Sequence, residues 1–219
     1  MLSVASPATQ CSGQAATLWR TVDGAATWTK LDASGIANAQ CKDSIAFVDV
    51  QHGYIGAWDQ NTQPVIYRTA DGGKTWNGSM LPNPPAQRPN SFADFGTVVL
   101  TGVEGSTSAR FFSFRSTDRG ATWSSLSAGP VQGIPIVFVT ATRWLQIILR
   151  DQSQETTDGG ATWHVFNTDY EQAAPVAPQV VFGDTNTGYA TVRGSIQRTT
   201  DGGTHWTPIK TPGTLAPSR

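Results

Sequence analysis

The chain has 219 residues, of which 14% are charged, a formal net charge of −1, and an abundance of glycine (22) and tryptophan (8). A charge so sparse and balanced excludes a basic face for nucleic acid or anionic lipid. No apolar run reaches the roughly 18 residues of a membrane span, since the greasiest stretch, residues 134–149, is broken by Thr140, Thr142 and Arg143.

The start, Met1-Leu2-Ser3-Val4, has neither the charged nor the apolar region of a secretory signal. The expected setting leans extracytoplasmic, with any leader absent from this chain. From there one octapeptide, Ser/Thr-x-Asp-x-Gly-x-Thr-Trp, organises everything. It reads TVDGAATW at Thr21–Trp28, TADGGKTW at Thr69–Trp76, STDRGATW at Ser116–Trp123, TTDGGATW at Thr156–Trp163 and TTDGGTHW at Thr199–Trp206. The aspartates Asp23, Asp71, Asp118, Asp158 and Asp201 lie 48, 47, 40 and 43 residues apart. A period of that size marks repeated supersecondary units.

The repeats span approximately residues 2–43, 44–89, 90–133, 134–178 and 179–210. In the second (IAFVDVQHGYIGAWDQNTQPVIYRTADGGKTW) and the fifth (VVFGDTNTGYATVRGSIQRTTDGGTHW) the elements run in one order. A hydrophobic strand leads through a polar turn ending in Gly-Tyr to a second strand, a variable loop, and a third strand entering the box. A fourth follows the Trp. In the first repeat SVASPATQCSG stands where strand, turn and strand are expected, and TLWRT stands in the third-strand place. The third and fourth repeats fit the frame more loosely. Four short strands every 40-odd residues predict an all-β chain, a β-propeller of five four-stranded blades with helix content near nil. The alternative is an arc of a six- or seven-bladed ring.

Within the box, the Asp accepts backbone N–H groups and fixes the turn. The Gly supplies a positive φ, and the Trp ring buries a large area. Asp23, Asp71, Asp118, Asp158 and Asp201, with Trp28, Trp76, Trp123, Trp163 and Trp206, are therefore structural. A calcium loop requires several oxygen ligands at alternating positions, whereas each box offers one Asp, so no metal or cofactor is expected. Local departures are Ala25 for Gly in the first box, His205 for Thr in the fifth, and Glu155 where Arg20, Arg68, Arg115 and Arg198 precede the other boxes.

These octapeptides resemble the Asp-box, or BNR repeat, of sialidases, sortilin-type receptors and several glycoside hydrolases. The wider frame of F-x-D, G-Y and R-T-x-D-G-G-x-T-W is most similar to the propeller of photosystem II assembly factors. The resemblance implies a propeller whose ligands bind on the face away from the boxes. Sialidases use three Arg, a Tyr–Glu pair and an Asp there. Their Arg-Ile-Pro motif is not matched, because the sole Ile-Pro, Ile134-Pro135, follows Gly133. The basic patch implied by the assembly factors is likewise not reproduced by the near-neutral charge.

Loops at the end of the sheets opposite the boxes supply the candidate partner-binding residues: Trp58, Asp59, Arg88, Arg150, Asp151, Tyr170, Glu171 and Arg193. No catalytic residue is assigned among them. Trp58 is suited either to stacking on a sugar ring or to capping the inner end of its blade. His52, His164 and His205 fall in different repeats on the expected box face, so neither a His cluster nor a Ser-His-Asp arrangement is argued from them. Cys11 and Cys41 are expected as two thiols rather than a bridge, because the frame puts them at opposite ends of their strands. The expected function is a non-enzymatic binding or assembly scaffold for a protein or glycan. A sialidase-like glycoside hydrolase is the alternative, and the oligomeric state is left open.

Overall fold

The computed structural model describes residues 2–5, 14–58, 64–82, 86–105, 111–171, 177–192 and 195–209. The chain divides into two compact units, Met1–Ser127 and Ala128–Arg219. Each is built from small antiparallel sheets in which consecutive strands are neighbours.

In the first unit, β1 (Leu2–Ala5), β2 (Ala15–Arg20) and β3 (Thr29–Leu31) form a three-stranded sheet. The second sheet contains β4 (Cys41–Phe47), β5 (Gly53–Trp58), β6 (Val65–Thr69) and β7 (Asn77–Met80). The third contains β8 (Ala86–Phe95), β9 (Val98–Gly105), β10 (Phe111–Ser116) and β11 (Ser124–Ala128). The second unit holds two four-stranded sheets. One contains β12 (Val137–Phe138), β13 (Trp144–Gln146), β14 (Gln154–Thr156) and β15 (His164–Val165). The other contains β16 (Gln179–Phe182), β17 (Gly188–Val192), β18 (Ser195–Thr199) and β19 (Thr207–Ile209). A single 3-10 turn, Arg150–Gln152, is the one helical element among the described residues.

The first repeat departs from the four-strand expectation, so four of the expected five sheets are complete among the described residues. Register pairs Leu2 with Leu18, as it pairs Gly56 with Ile66 in the second sheet. β1 therefore occupies the second-strand place, and no strand lies inside it among the described residues. The Ser3–Gly13 segment carries neither the F-x-D nor the Gly-Tyr that marks a first strand and its turn elsewhere. This shift also corrects the cysteine expectation. Cys41 is disulfide-bonded, and the one other cysteine, Cys11, lies outside the described residues. The expectation of two thiols assumed that the residues before Cys11 form a first strand and its turn, and β1 in the second-strand place removes that premise.

Hydrophobic cores lie between consecutive sheets. Leu18, Ile55, Ala57, Tyr67 and Trp76 join the first to the second. Tyr54, Ile66, Leu81, Val99, Val103 and Phe114 join the second to the third. Val137, Leu145, Ile147, Phe166, Tyr170, Ala190 and Trp206 join the two sheets of the second unit. Strand alternation accounts for the pairing: Ile55 faces one neighbour and Tyr54 the other. A buried Trp removes 150–250 Å2 from water, on the order of 4–6 kcal/mol gross at about 25 cal/mol per Å2. That exceeds the net value of any single hydrogen bond, about 1 kcal/mol, and Trp76 and Trp206 are the box tryptophans buried in these cores.

The Gly of the Gly-Tyr pair has a steric cause. A Cβ on Gly53 would lie 2.9 Å from the Phe47 ring, and one on Gly188 would lie 2.9 Å from the Phe182 ring. Each Phe spreads over the Gly and meets its own box Trp edge-on, Phe47–Trp76 at 6.0 Å and Phe182–Trp206 at 6.4 Å. In the fourth sheet Trp144 takes the Gly place, wholly buried, and Phe138 meets it edge-on at 5.2 Å.

The second and third sheets approach closely at Gly56, where a Cβ would meet the Pro89 carbonyl oxygen at 2.2 Å. Gly56→Ala is expected to lower unfolding free energy by about 1–3 kcal/mol, the usual cost of overpacking. Gly183→Ala, with nothing within 4 Å, is the neutral control. Urea midpoints of the two variants check the difference.

Candidate functional site

Each box is a closed hydrogen-bond circuit. The leading Ser or Thr hydroxyl donates to Oδ1 of the Asp at 2.7–2.9 Å in all five. It also accepts the N–H of the residue four positions on. The same Oδ1 takes the backbone N–H of the residue before Trp at 2.8–2.9 Å. In the first four boxes that Thr hydroxyl donates to Oδ2 at 2.6–2.7 Å. In the fifth, His205 Nδ1 bonds Asp201 Oδ2 instead. Both carboxylate oxygens are thus committed to the loop that carries them.

The electrostatics follow. Hydrogen bonds from Thr27, Thr122 and Thr162, side chain first, hold Asp23, Asp118 and Asp158 down to about 2. Burial pushes Asp201 up, but the His205 bonds outweigh it and hold it at about 2. Asp71 is lower still, chiefly through Thr75.

The boxes also clasp their surroundings. The N–H of the first box Gly donates to the turn between the first two strands of its own sheet: Gly72 to Gln51, Gly159 to Thr142 and Gly202 to Asn186, each at 2.9 Å. Boxes and first turns therefore share one end of the sheets, as expected from the repeat. The linker from the preceding sheet binds here as well. Ser34 N–H donates to Lys74 O and Trp76 N–H to Ser34 O. In the second unit Asp169 N–H donates to Thr204 O, and Asp169 Oδ1 accepts Trp206 N–H at 2.7 Å.

Of the candidate residues, Arg150 and Asp151 stand at the opposite end of their sheet. Arg150 and Asp151 sit in the 3-10 turn between β13 and β14. Arg150 grips Glu171 through Nε at 2.8 Å and through Nη2, both on Oε1. Both side chains are open to solvent, 71% and 63% exposed. The Glu171 carbonyl is pinned by Gln197 Nε2 at 2.7 Å. Arg88 lies in β8 opposite Glu104 in β9. Asp59 and Arg193 lie outside the described residues.

Two candidates belong to the core instead. Tyr170 is wholly buried and meets Trp206 edge-on at 5.5 Å, and burial pushes its hydroxyl up. No Tyr–Glu pair is presented to a ligand there, because the linker turns Tyr170 inward and Glu171 outward. Trp58 is buried against Cys41, the capping role rather than the stacking one.

Sequence reasoning missed two charged groups. Lys42 is buried, its ammonium donating to the Gln14, Ala37 and Gln40 carbonyls, and burial pushes it down to about 8. With all three donors on backbone it is a staple. Arg143 bonds Glu155 Oε1 at 2.7 Å and the Gly202 carbonyl at 2.8 Å, and His164 reaches Glu155 Oε2 at 3.1 Å. The reversed charge at Glu155 was the available signal. No group of three or more potential metal ligands occurs among the described residues.

Solved structures share this arrangement. The structure of YCF48 bound to D1 peptide matches with a TM-score of 0.52 at 20% identity, covering 77% of this chain and 53% of that one. The fold is a β-propeller. An ancestral GH74 enzyme aligns at TM-score 0.51 and 16% identity, covering 90% of this chain and 26% of its own. A Hadza microbial sialidase aligns at 0.51 and 13%, covering 95% and 47%. The propeller described here thus spans about half, or a quarter, of the length of these chains. At such identities the likeness is one of fold. No family model and no curated protein sequence matches the chain.

The box carboxylates predict an acid limit for the propeller. Groups held at about 2 when folded, against 3.8 unfolded, contribute stability that is fully present above 3.8 and lost as pH falls toward 2. Urea midpoints are expected to drop steeply across that window. Asp158→Asn should lower the midpoint at neutral pH and flatten the slope between pH 4 and 2.

Proposed function

We propose that the chain is a non-enzymatic binding or assembly scaffold that holds a protein or glycan at the end of its sheets away from the Asp-boxes. The observation that carries this reading is the division of polar groups between the two ends. The five box carboxylates are consumed by their own loops, while the Arg150–Glu171 pair stands exposed in the second unit. A guanidinium held by one carboxylate oxygen still offers N–H donors to a ligand carboxylate, sulfate or backbone carbonyl. Asp151 adds an exposed acceptor one residue away. Arg88, Asp59 and Arg193 are the further candidates of this reading. The YCF48 structure, whose partner is a peptide, supplies a precedent for a propeller of this kind as a peptide binder.

In the same proposal the five repeats are consecutive blades of one domain over residues 1–219, the rival being an arc of a larger ring. Glycoside hydrolysis of sialidase type is disfavoured by the inward turn of Tyr170.

A glycan array and a peptide array probed with the purified chain test the proposal. Saturable binding weakened tenfold or more by Arg150→Ala, about 1.4 kcal/mol, is the expected result, with a fluorogenic sialoside left uncleaved. Cleavage of that sialoside, abolished by Arg150→Ala, would overturn it in favour of the hydrolase.

A further inference from the structure

The linker into the fifth sheet is fastened to its box by charged groups, whereas the linker into the second sheet is fastened by neutral ones. Ser34 pairs in parallel with Thr75, its N–H donating to the Lys74 carbonyl at 2.9 Å and its carbonyl accepting Trp76 N–H at 3.0 Å. Asp169 and His205 hold the same places in the second unit. Asp169 N–H donates to the Thr204 carbonyl at 2.9 Å. The Trp206 N–H, however, goes to Asp169 Oδ1 at 2.7 Å, a carboxylate where Ser34 offers a peptide oxygen. Thr168 Oγ1 adds a bond to the Gly203 carbonyl at 2.7 Å.

The two substitutions belong together. His205 stands where the other four boxes carry Thr, between the two residues that Asp169 clasps. Its Nδ1 bonds Asp201 Oδ2. The bond and charge of Asp201 push its pKa above the ordinary 6.5, and the Asp169 charge acts in the same direction. Other charged groups near the box have partners of their own. Arg143 reaches the Gly202 carbonyl and is held by Glu155, which also holds His164. Asp184, in the turn between β16 and β17, closes on the amides of that turn.

We propose that His205 is a proton-operated latch on this linker. With the proton on, one imidazolium faces two carboxylates and holds residues 167–171 against the fifth box. With the proton lost, Nδ1–H can still donate to Asp201, but no positive charge remains to offset Asp169, and the clasp on Trp206 loosens. A Thr hydroxyl, as in the other boxes, carries no charge in either condition. Because the folded pKa is the higher one, the latch is fully closed below pH 6.5 and opens as pH rises through the folded value. Glu171, which holds Arg150, lies just beyond Asp169 on the same linker. In the binding reading proposed above, on which this consequence alone rests, the latch also sets how firmly that pair is presented.

Imidazole NMR of the full chain and amide hydrogen exchange test the latch, with rates corrected for the pH dependence of an unstructured chain. His205 should titrate above 6.5, and Asp169→Asn, which keeps an acceptor for Trp206, should lower its midpoint. Protection of the Trp206 amide should fall about two- to fivefold between about pH 6 and 8.5. That is the size expected of an exposed ion pair, the His205 side chain being 72% exposed. His205→Thr matches the other four boxes and so keeps the fold, and it should make the protection independent of pH. A His205 midpoint unmoved by Asp169→Asn overturns the proposal, as does Trp206 protection that stays flat with pH in the unaltered chain. A pH dependence that survives His205→Thr overturns it too, by assigning the proton to the His164–Glu155 pair. No ligand enters these measurements, so a failed latch leaves the binding reading standing, and failed arrays leave the latch standing.

Discussion

The structure depends on a carboxylate that never leaves its own loop. In each box an Asp, with a hydroxyl two residues before and a Thr hydroxyl (His205 in the fifth box) four after, gathers backbone and side-chain donors into a circuit of eight residues. This local closure costs little chain entropy, since the partners are at most four residues apart. It positions the Trp at the start of the outer strand, and the Trp then does what the carboxylate cannot, burying a large ring between sheets. The carboxylate sets conformation, and the indole supplies the driving force. Trp76 and Trp206 complete the arrangement by donating Nε1–H to the Gly73 and Gly203 carbonyls of their own boxes, so the buried indole leaves no unpaired polar atom. In the fourth sheet the Trp144 and Trp163 indole nitrogens have no such partner, and packing alone holds those rings.

Much of this was legible because the signals are local. A spacing of two and four residues in the octapeptide is enough to foresee an Asp-centred turn, and strand alternation around Gly-Tyr is enough to place Tyr54 and Ile55 on opposite faces. What was not legible depends on register. Residues 3–13 satisfy a loose alignment to a strand–turn–strand unit, yet Leu2 pairs with Leu18, and that one register moves β1 over by a strand place. The error in the cysteine expectation follows directly, because it was reasoned from the strand places that this register changes. Tyr170 was misjudged for a related reason. Neighbours in a linker point to opposite sides, and sequence does not reveal which of Tyr170 and Glu171 the core will take.

Lys42 shows how buried charge is tolerated where the chain turns between sheets. A Lys without a carboxylate partner is expensive to bury, but three backbone carbonyls in the Gln14 and Ala37–Gln40 segments converge on it. Gln14 adds a side-chain oxygen to the Lys42 backbone N–H at 2.7 Å. The ammonium thereby ties the segment ahead of β2 to the start of β4, next to the disulfide at Cys41.

The fourth sheet shows which part of the repeat is indispensable. In the first two sheets the Arg before the box reaches the next box: Arg20 Nη1 lies 3.5 Å from where a Gly72 Cβ would stand, and the Arg68 stem lies 3.6 Å from that of Gly120. In the fourth sheet that position is Glu155, a reversal of charge that should abolish the contact. Instead Arg143, entering β13 beside it, bonds Glu155 and places Nη2 on the Gly202 carbonyl, its guanidinium also lying over the Phe166 ring at 5.7 Å. The guanidinium is preserved and only its origin has moved, with the carboxylate recruited to orient it. A position in the repeat is thus constrained by the group it delivers to the neighbouring box rather than by the residue that stands there. That is why the octapeptide reads clearly while the strands around it drift.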